Sequence, residues 1–442
     1  MSKPKIGLVG VASYFESGGE RAEQILSSAV TAMIGAGLEV VSAKKVVWDS
    51  ADAIEVCEQL NQAGIESVAI VDITWVTDSL KYIFIHELNV PTVFWAVPYT
   101  ETFSIGCVQH FGSILRAQGI AYQYVYGLAD DASLIKKIRE VAQAGHIISK
   151  VKKMRLALLG PRQTWRVAGP QDMTNEEWEF SKKFGPTLIH IEMDEISNGI
   201  KAISDNEAEA TLKALQPRTG KSLANKETML QMAKVYMTIK RIIEVYNLDA
   251  IAAECYPQFS GLMNLTSSWL ADEGVVVDTE GDISHTMVMY MLNLCADGGA
   301  TVLGEVGSFD GNVLALAHEG STAHSMAESL DKVQVSPSGE KGSFVGVPVK
   351  PMPVVTVSSM VGSAGDYTLL VSKGETLPVT RQQWVDGGSK LLVHLRTEKS
   401  GASVIDAMIK AGLDHHLLIK EGDHTNVLSM LCDYIGIKKI EL

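Results

Sequence analysis

The sequence predicts an α/β fold: two doubly wound, parallel-sheet domains followed by a β-rich, barrel-like carboxy-terminal domain. Three observations predict it. Strand and helix patterns alternate through roughly the first two thirds of the 442 residues, which favours parallel sheets with helices on both faces. A charged connector, Lys150-Val151-Lys152-Lys153-Met154, interrupts the alternation once before it restarts. After Gly298-Gly299 the texture changes to short β-rich runs split by Gly, Pro, Ser and Asp, the spacing of an antiparallel sheet or small barrel.

The first domain is expected over residues 1–152. Strands read at Lys5–Val9, Glu39–Val41, Ser67–Val71, Thr92–Trp95 and Gln123–Tyr126, with amphipathic helices at Arg21–Ala36, Ala51–Ala63, Asp78–Glu87, Gln109–Gln118 and Asp131–Ile147. The second is expected over 153–298. It opens on the strand Arg155–Leu159, continues through Thr187–Glu192, and carries helices at Asp205–Leu215 and about Lys226–Tyr246. Strand 248–253, helix Gly261–Glu273, strand 274–278 and helix Ile283–Cys295 complete it. Both domains read as Rossmann-like. The third, over 299–442, carries seven short β runs between Ala300 and Leu395 and helices at Ala402–Ala411 and Thr425–Ile435.

Composition excludes several function classes. The net charge of −14 disfavours binding to nucleic-acid phosphates or anionic lipid. Five scattered cysteines without a CxxC pair argue against a disulfide framework and against structural zinc. No stretch of about 18 apolar residues predicts a membrane span, and the start passes straight into a strand instead of a signal peptide. The expected location is cytoplasmic. Gly7-Leu8-Val9-Gly10-Val11-Ala12 departs from the dinucleotide-binding glycine pattern, and Gly220-Lys221-Ser222 follows a helix, not the strand that a phosphate-binding loop requires.

What remains is a set of acids and histidines at strand ends. Glu254 follows the buried run Leu248–Ala253, and Asp278, Glu280 and Asp282 follow Gly274–Val277. Acids there sit in the crevice where open α/β sheets bind ligands. If the strand persists, Asp278, Glu280 and Asp282 share one face, and a cation is the natural neutraliser. Helix capping is the competing reading of Asp282. Asp414-His415-His416 precedes the apolar run Leu417–Ile419, and His318 ends another β run. Asp414 is placed to orient one imidazole, as a metal-bound histidine requires. Oxygen ligands with imidazole suit a divalent metal that polarises an oxygen-rich substrate. Gln258, Trp75 and His110 are further candidates for substrate contact, and Arg162, Trp165 and Arg166 form a basic-aromatic patch. His285 and His324 read as helix or loop residues with no assigned role.

Together these motifs resemble the L-fucose isomerase/L-arabinose isomerase family. The resemblance spans the chain in layout and is most specific at Val275–Asp282, Asn312–Gly320 and Asp414–Ile419. It implies a metal-dependent aldose–ketose isomerase acting on an open-chain sugar through a cis-enediol. Mn²⁺ is the implied cofactor, with Mg²⁺ or Co²⁺ as substitutes. Glu254 matches the first metal-binding, catalytic carboxylate, and the second falls in Glu280-Gly281-Asp282. The arabinose-type pattern favours Glu280 there and the fucose-type pattern favours Asp282. His416 matches the metal histidine. His318, with His415, Gln258, Trp75 and His110, is expected at the substrate. The resemblance also implies a trimer or hexamer with shared active sites. The flank Cys255-Tyr256-Pro257 departs from both named enzymes and leaves the sugar open. The alternatives at this stage are a non-catalytic sugar-binding protein and a metal-dependent epimerase or lyase.

Overall fold

The computed structural model describes residues 3–159, 177–254, 261–295, 299–319, 322–338, 342–363 and 365–441. Gln258, the Cys255-Tyr256-Pro257 flank and the Arg162, Trp165, Arg166 patch lie outside the described residues. The chain forms two compact units, one of residues 1–150 with 426–436, the other of 151–425 with 437–442.

The first unit is built on five parallel strands: β1 (Lys5–Val11), β2 (Glu39–Ser42), β3 (Ser67–Asp72), β4 (Thr92–Ala96) and β5 (Gln123–Tyr126). Their order is β2-β1-β3-β4-β5. The central strands are continuous apolar runs because helices cover both faces, and every residue of β3 and β4 is buried. Turn chemistry sets the helix starts: Asp49 accepts a hydrogen bond from the Asp52 amide at 2.9 Å and caps the helix Ser50–Ala63. All but the first residue of the late helix Thr425–Ile435 also belongs to this unit. There the Tyr434 hydroxyl donates to the Thr92 carbonyl at 2.9 Å, and Asn426 donates to Glu140 at 3.2 Å.

The second unit begins with β6 (Arg155–Leu159), β7 (Thr187–Ile191), the two-residue β8 (Lys221–Ser222), β9 (Ala250–Ala253) and β10 (Val276–Asp278). Four of these form a parallel sheet in the order β10-β9-β6-β7. The chain runs from β6 outward to β7, then returns to β9 on the other side of β6. The strand order therefore reverses between β6 and β9, the place where such sheets bind ligands.

The remaining strands are β11 (Val302–Asp310), β12 (Val313–His318), β13 (Gln334–Ser338), β14 (Gly342–Gly346), β15 (Met352–Ser363), β16 (Asp366–Leu377), β17 (Leu391–Thr397), β18 (His416–Glu421) and β19 (Lys438–Glu441). Six run in the order β15-β18-β11-β12-β17-β16, and β15 pairs again with β16. The sheet thus closes on itself as an antiparallel barrel, which removes its edges. The short β19 adds to β16 in parallel, and β13, β14 and β8 form a small separate sheet. One apolar core runs without a break from the parallel sheet (Ile251, Val277) and the helix Leu262–Asp272 (Trp269) into the barrel (Val302, Leu316, Val357, Ile419).

Candidate active site

Glu254 leaves β9 at the switch point. Its amide donates to the Leu159 carbonyl at the end of β6, 2.9 Å away. The neighbouring strand β10 stops at Asp278. The alternation expected of Asp278, Glu280 and Asp282 on one strand face is therefore corrected, because the chain turns immediately. Asp278 is fully buried, and its Oδ2 accepts from the amides of Glu280 (3.0 Å) and Asp282 (2.9 Å). Those two bonds curl the backbone. Gly281 completes the turn at φ 76°, in the left-handed region that favours glycine. It also lies against Glu254: a Cβ built on Gly281 would fall 3.2 Å from the Glu254 Cβ. The two acid-bearing segments thus meet through their backbones.

Asp282 then starts the helix Ile283–Cys295. Its Oδ1 accepts from the His285 amide at 3.0 Å, the N-cap bond that a short carboxylate makes best. From the barrel side, register delivers three more groups. Glu305 on β11 stands opposite His416 at the start of β18, and opposite Ala317 next to His318 at the end of β12. Asp414 turns the chain into β18 by accepting the His416 amide at 2.9 Å.

The side chains converge. The Glu280 carboxylate lies between two imidazoles, with Oε1 3.2 Å from His318 Nε2 and Oε2 3.3 Å from His416 Nε2. His416 Nδ1 is 3.3 Å from Asp282 Oδ2, which His285 Nδ1 reaches at 2.6 Å. His285 Nε2 lies 3.0 Å from Ser359 Oγ and 3.7 Å from Asp414 Oδ1. His415 Nε2 lies 3.8 Å from Glu305 Oε1, and its ring sits 4.4 Å from that of His416. Among the described residues, two groups could hold a metal ion: Glu280, Glu305, His415 and His416, and Asp282, His285, Asp414 and His416. They share His416.

Electrostatics follow from burial and proximity. Burial alone would lower the His416 imidazole; the Asp282 and Glu280 carboxylates reverse this and push it up to about 12. Burial would raise Asp282, but His285 and His416 hold it well below the usual carboxylate range. For Asp278, burial and then the like charges of Asp282 and Glu280 outweigh His416 and the Asp282 amide, and push it up to about 7. The site is a low-dielectric patch where acids and imidazoles compensate one another.

The structure brings Glu280, Asp282, His318, His415 and His416 together. Glu254 abuts their turn but is in neither metal-compatible group. Trp75 and His110 lie in the first unit, with stacked rings 5.7 Å apart and His110 Nε2 3.0 Å from Asp78. Reading the sequence missed His285 and Glu305. For His285 a signal existed, the i, i+3 spacing from a helix-capping acid. Glu305 sits mid-strand with no local pattern, and only strand register reveals it. The sequence also placed Asp414 as the residue that orients an imidazole. In the structure Asp282 faces His416 Nδ1, and Asp414 holds the backbone.

No family model matches the chain. Curated relatives do. It is 21% identical to the sulfoquinovose isomerase of Alkalicoccus urumqiensis over 375 residues, 81% of this chain and 82% of that protein. It is 24% identical to the sulfoquinovose isomerase of Priestia aryabhattai over 327 residues, 72% and 70% of the two chains. The sulfoquinovose isomerase of Clostridium sp. (strain MSTE9) is 22% identical over 374 residues, 80% and 81%. These relatives support an isomerase, an intramolecular oxidoreductase.

Proposed function

We propose that this protein is a metal-dependent aldose–ketose isomerase acting on an open-chain sugar through a cis-enediol. The observation that carries the reading is the Glu280 carboxylate held between His318 Nε2 and His416 Nε2, at 3.2 and 3.3 Å, beside Glu254 at the switch point. The donor set fits a divalent ion. It offers carboxylate oxygens and imidazole nitrogens, and no thiol is in either metal-compatible group. Mn²⁺ is the proposed ion, with Mg²⁺ or Co²⁺ able to replace it. Glu254, Glu280, His416 and Asp282 are the proposed metal-binding set, with His318 beside them.

When bound, the ion polarises the sugar's carbonyl and adjacent hydroxyl oxygens and so lowers the barrier to removing a neighbouring proton. The chain's own residues then do the acid–base work. One carboxylate, Glu254 or its partner in the Glu280–Asp282 step, takes the proton from C2 and returns it to C1. The other handles the hydroxyl proton. General acid–base catalysis of this kind contributes about 10²–10⁴ in rate. His318, at the end of β12, and the half-exposed His415 flank the same space and are proposed to contact substrate hydroxyls. Gln258, Trp75 and His110 are proposed as further substrate contacts.

The relatives' name puts sulfoquinovose first among candidate substrates. A panel of aldoses headed by it, incubated with Mn²⁺ and followed by carbon-13 NMR, is expected to show a ketose product. EDTA stripping is expected to abolish it, and Glu254→Gln, Glu280→Gln and His416→Ala each to lower turnover at least about 10²-fold. Retained turnover in the Glu254→Gln/His416→Ala double variant would overturn the reading. A homo-oligomer, trimer or hexamer with shared active sites, and a cytoplasmic location are proposed with it. The described helices include none long and apolar enough to cross a membrane. The division at 152 and 298 is proposed as the plan on which the chain is built.

A further inference from the structure

Of the three acids in the proposed metal-binding set, Glu254 and Glu280 are partly exposed, whereas Asp282 is buried, at 1% exposure. Water cannot orient a carboxylate closed off in this way, so protein groups must. His285 supplies two of them. Its amide donates to Asp282 Oδ1 at 3.0 Å, and its ring Nδ1 lies 2.6 Å from Asp282 Oδ2. A helical side chain leans back over the turn that precedes its own Cα. His285, at i+3 from Asp282, can therefore hold both oxygens. The cap bond alone would leave the second oxygen free to swing about the Cβ–Cγ bond, and the ring removes that freedom. Each oxygen keeps a further lone pair for an ion. Oδ2 is the one that faces His416, 3.3 Å from its Nδ1.

The ring is anchored in turn from the barrel. Its Nε2 lies 3.0 Å from the Ser359 hydroxyl on β15, and the Met360 amide donates to it at 3.5 Å. His285 and Ser359 are both fully buried. A ring nitrogen that accepts an amide proton carries none of its own, so the ring proton sits on Nδ1, toward Asp282. Asp414 Oδ1, 3.7 Å from Nε2, is beyond hydrogen-bond reach. We infer that His285, locked by Ser359, is a positioning residue of the metal centre: it holds the Asp282 carboxylate with Oδ2 turned toward His416. The inference rests on the metal reading above, with Asp282 as a ligand, and extends it to what sets that ligand. Ligating carboxylates are themselves hydrogen-bonded, and such partners tune metal affinity. His285 acts through Asp282 and makes no contact with substrate.

The test is Mn²⁺ binding to the full-length protein, with free Mn²⁺ read by electron paramagnetic resonance and melting curves recorded beside it. His285→Phe removes both ring nitrogens at similar size and is expected to weaken Mn²⁺ about 10–100-fold. His285→Asn keeps an N–H donor where Nδ1 stood and is expected to recover most of that loss. Ser359→Ala frees the far side of the ring and is expected to cost about 2–10-fold, the worth of one hydrogen bond. Wild-type Mn²⁺ affinity in His285→Phe, with or without a lowered melting temperature, overturns the inference. So does a loss that His285→Asn leaves unrecovered, because that marks His285 as a ligand itself. If His285→Phe does not fold, unchanged affinity in Ser359→Ala overturns it. A wild type that binds no Mn²⁺, Mg²⁺ or Co²⁺ fails the metal reading and this inference with it, a result distinct from binding that ignores His285.

Discussion

Gly281 shows how much one position decides. It separates Glu280 from Asp282, takes φ 76°, and would set an added Cβ in a tight 3.2 Å contact with the Glu254 Cβ. An L side chain there strains the backbone and pushes against the β9 end together. Gly281→Ala is expected to lower kcat/KM for the aldose about 10²-fold, the scale of an ångström-sized misplacement of catalytic groups. Steady-state kinetics on a variant with wild-type circular dichroism checks it; an unchanged kcat/KM would mean the turn is not needed. Asp282 carries the same lesson. The sequence offers capping and ion binding as rival readings of it. The structure shows the cap, and the same carboxylate also faces His416. Capping is local and legible in a sequence, whereas the approach of a histidine 134 residues away is not.

At the scale of elements, helices with clear start signals and a regular apolar period were the most legible. Asp205–Leu215, Lys226–Tyr246 and Ile283–Cys295 begin and end where the sequence reads them. The Ser204 and Asn225 side chains accept their first-turn amides, and these are local signals. Strands of the barrel were less legible at their ends: β15 and β16 each run 12 residues. Their outer portions are rich in Ser, Gly, Thr and Lys, and pairing holds them in place of an apolar pattern. Lys420 on β18 is an element-level device that the sequence did not disclose. It is almost fully buried, and its Nζ donates to the Gly299 carbonyl at 2.5 Å and lies 3.4 Å from Asn293 Oδ1. Burial pulls its pKa down to about 8, below the roughly 10.4 of an unfolded lysine. Between those values the unfolded chain holds more protons, so this group makes stability rise with pH. Urea unfolding from pH 7.5 to 10.5 is expected to show that rise in wild type and a flatter profile in Lys420→Met. Equal slopes would mean that Lys420 titrates normally.

At the scale of the whole molecule, the chain order of elements does not match the units they join. The helix Thr425–Ile435 comes after the whole barrel except β19, yet all but its first residue belongs to the first unit. Val427, Leu428, Met430, Leu431 and Cys432 are buried on it. Burying side chains of this kind stabilises by about 1.5–3 kcal/mol each. Removing residues 425–442 is therefore expected to cost the first unit several kcal/mol. Hydrogen exchange is expected to rise across β1, β3 and β4 in the truncated chain, and unchanged protection there would refute the dependence. A sequence window cannot show this, because an amphipathic helix states that it has a buried face without naming what covers it.

By itself the sequence determined the α/β class, the alternation that makes two parallel sheets, the β-rich end and most of the residues that converge on the site. Those follow from local physics: apolar period, turn residues, caps, and acids at strand ends. Only the tertiary structure decided that β15 and β16 pair to close the barrel, that β10 stops at Asp278 so a turn presents Glu280, and that Glu305 and His285 join the cluster. The β15–β16 hairpin and the β10 turn are local in the chain, but the strand order that lets the hairpin close a barrel, and the meeting of Glu305 and His285 with His416, join residues far apart in the chain, where no pattern specifies the partner.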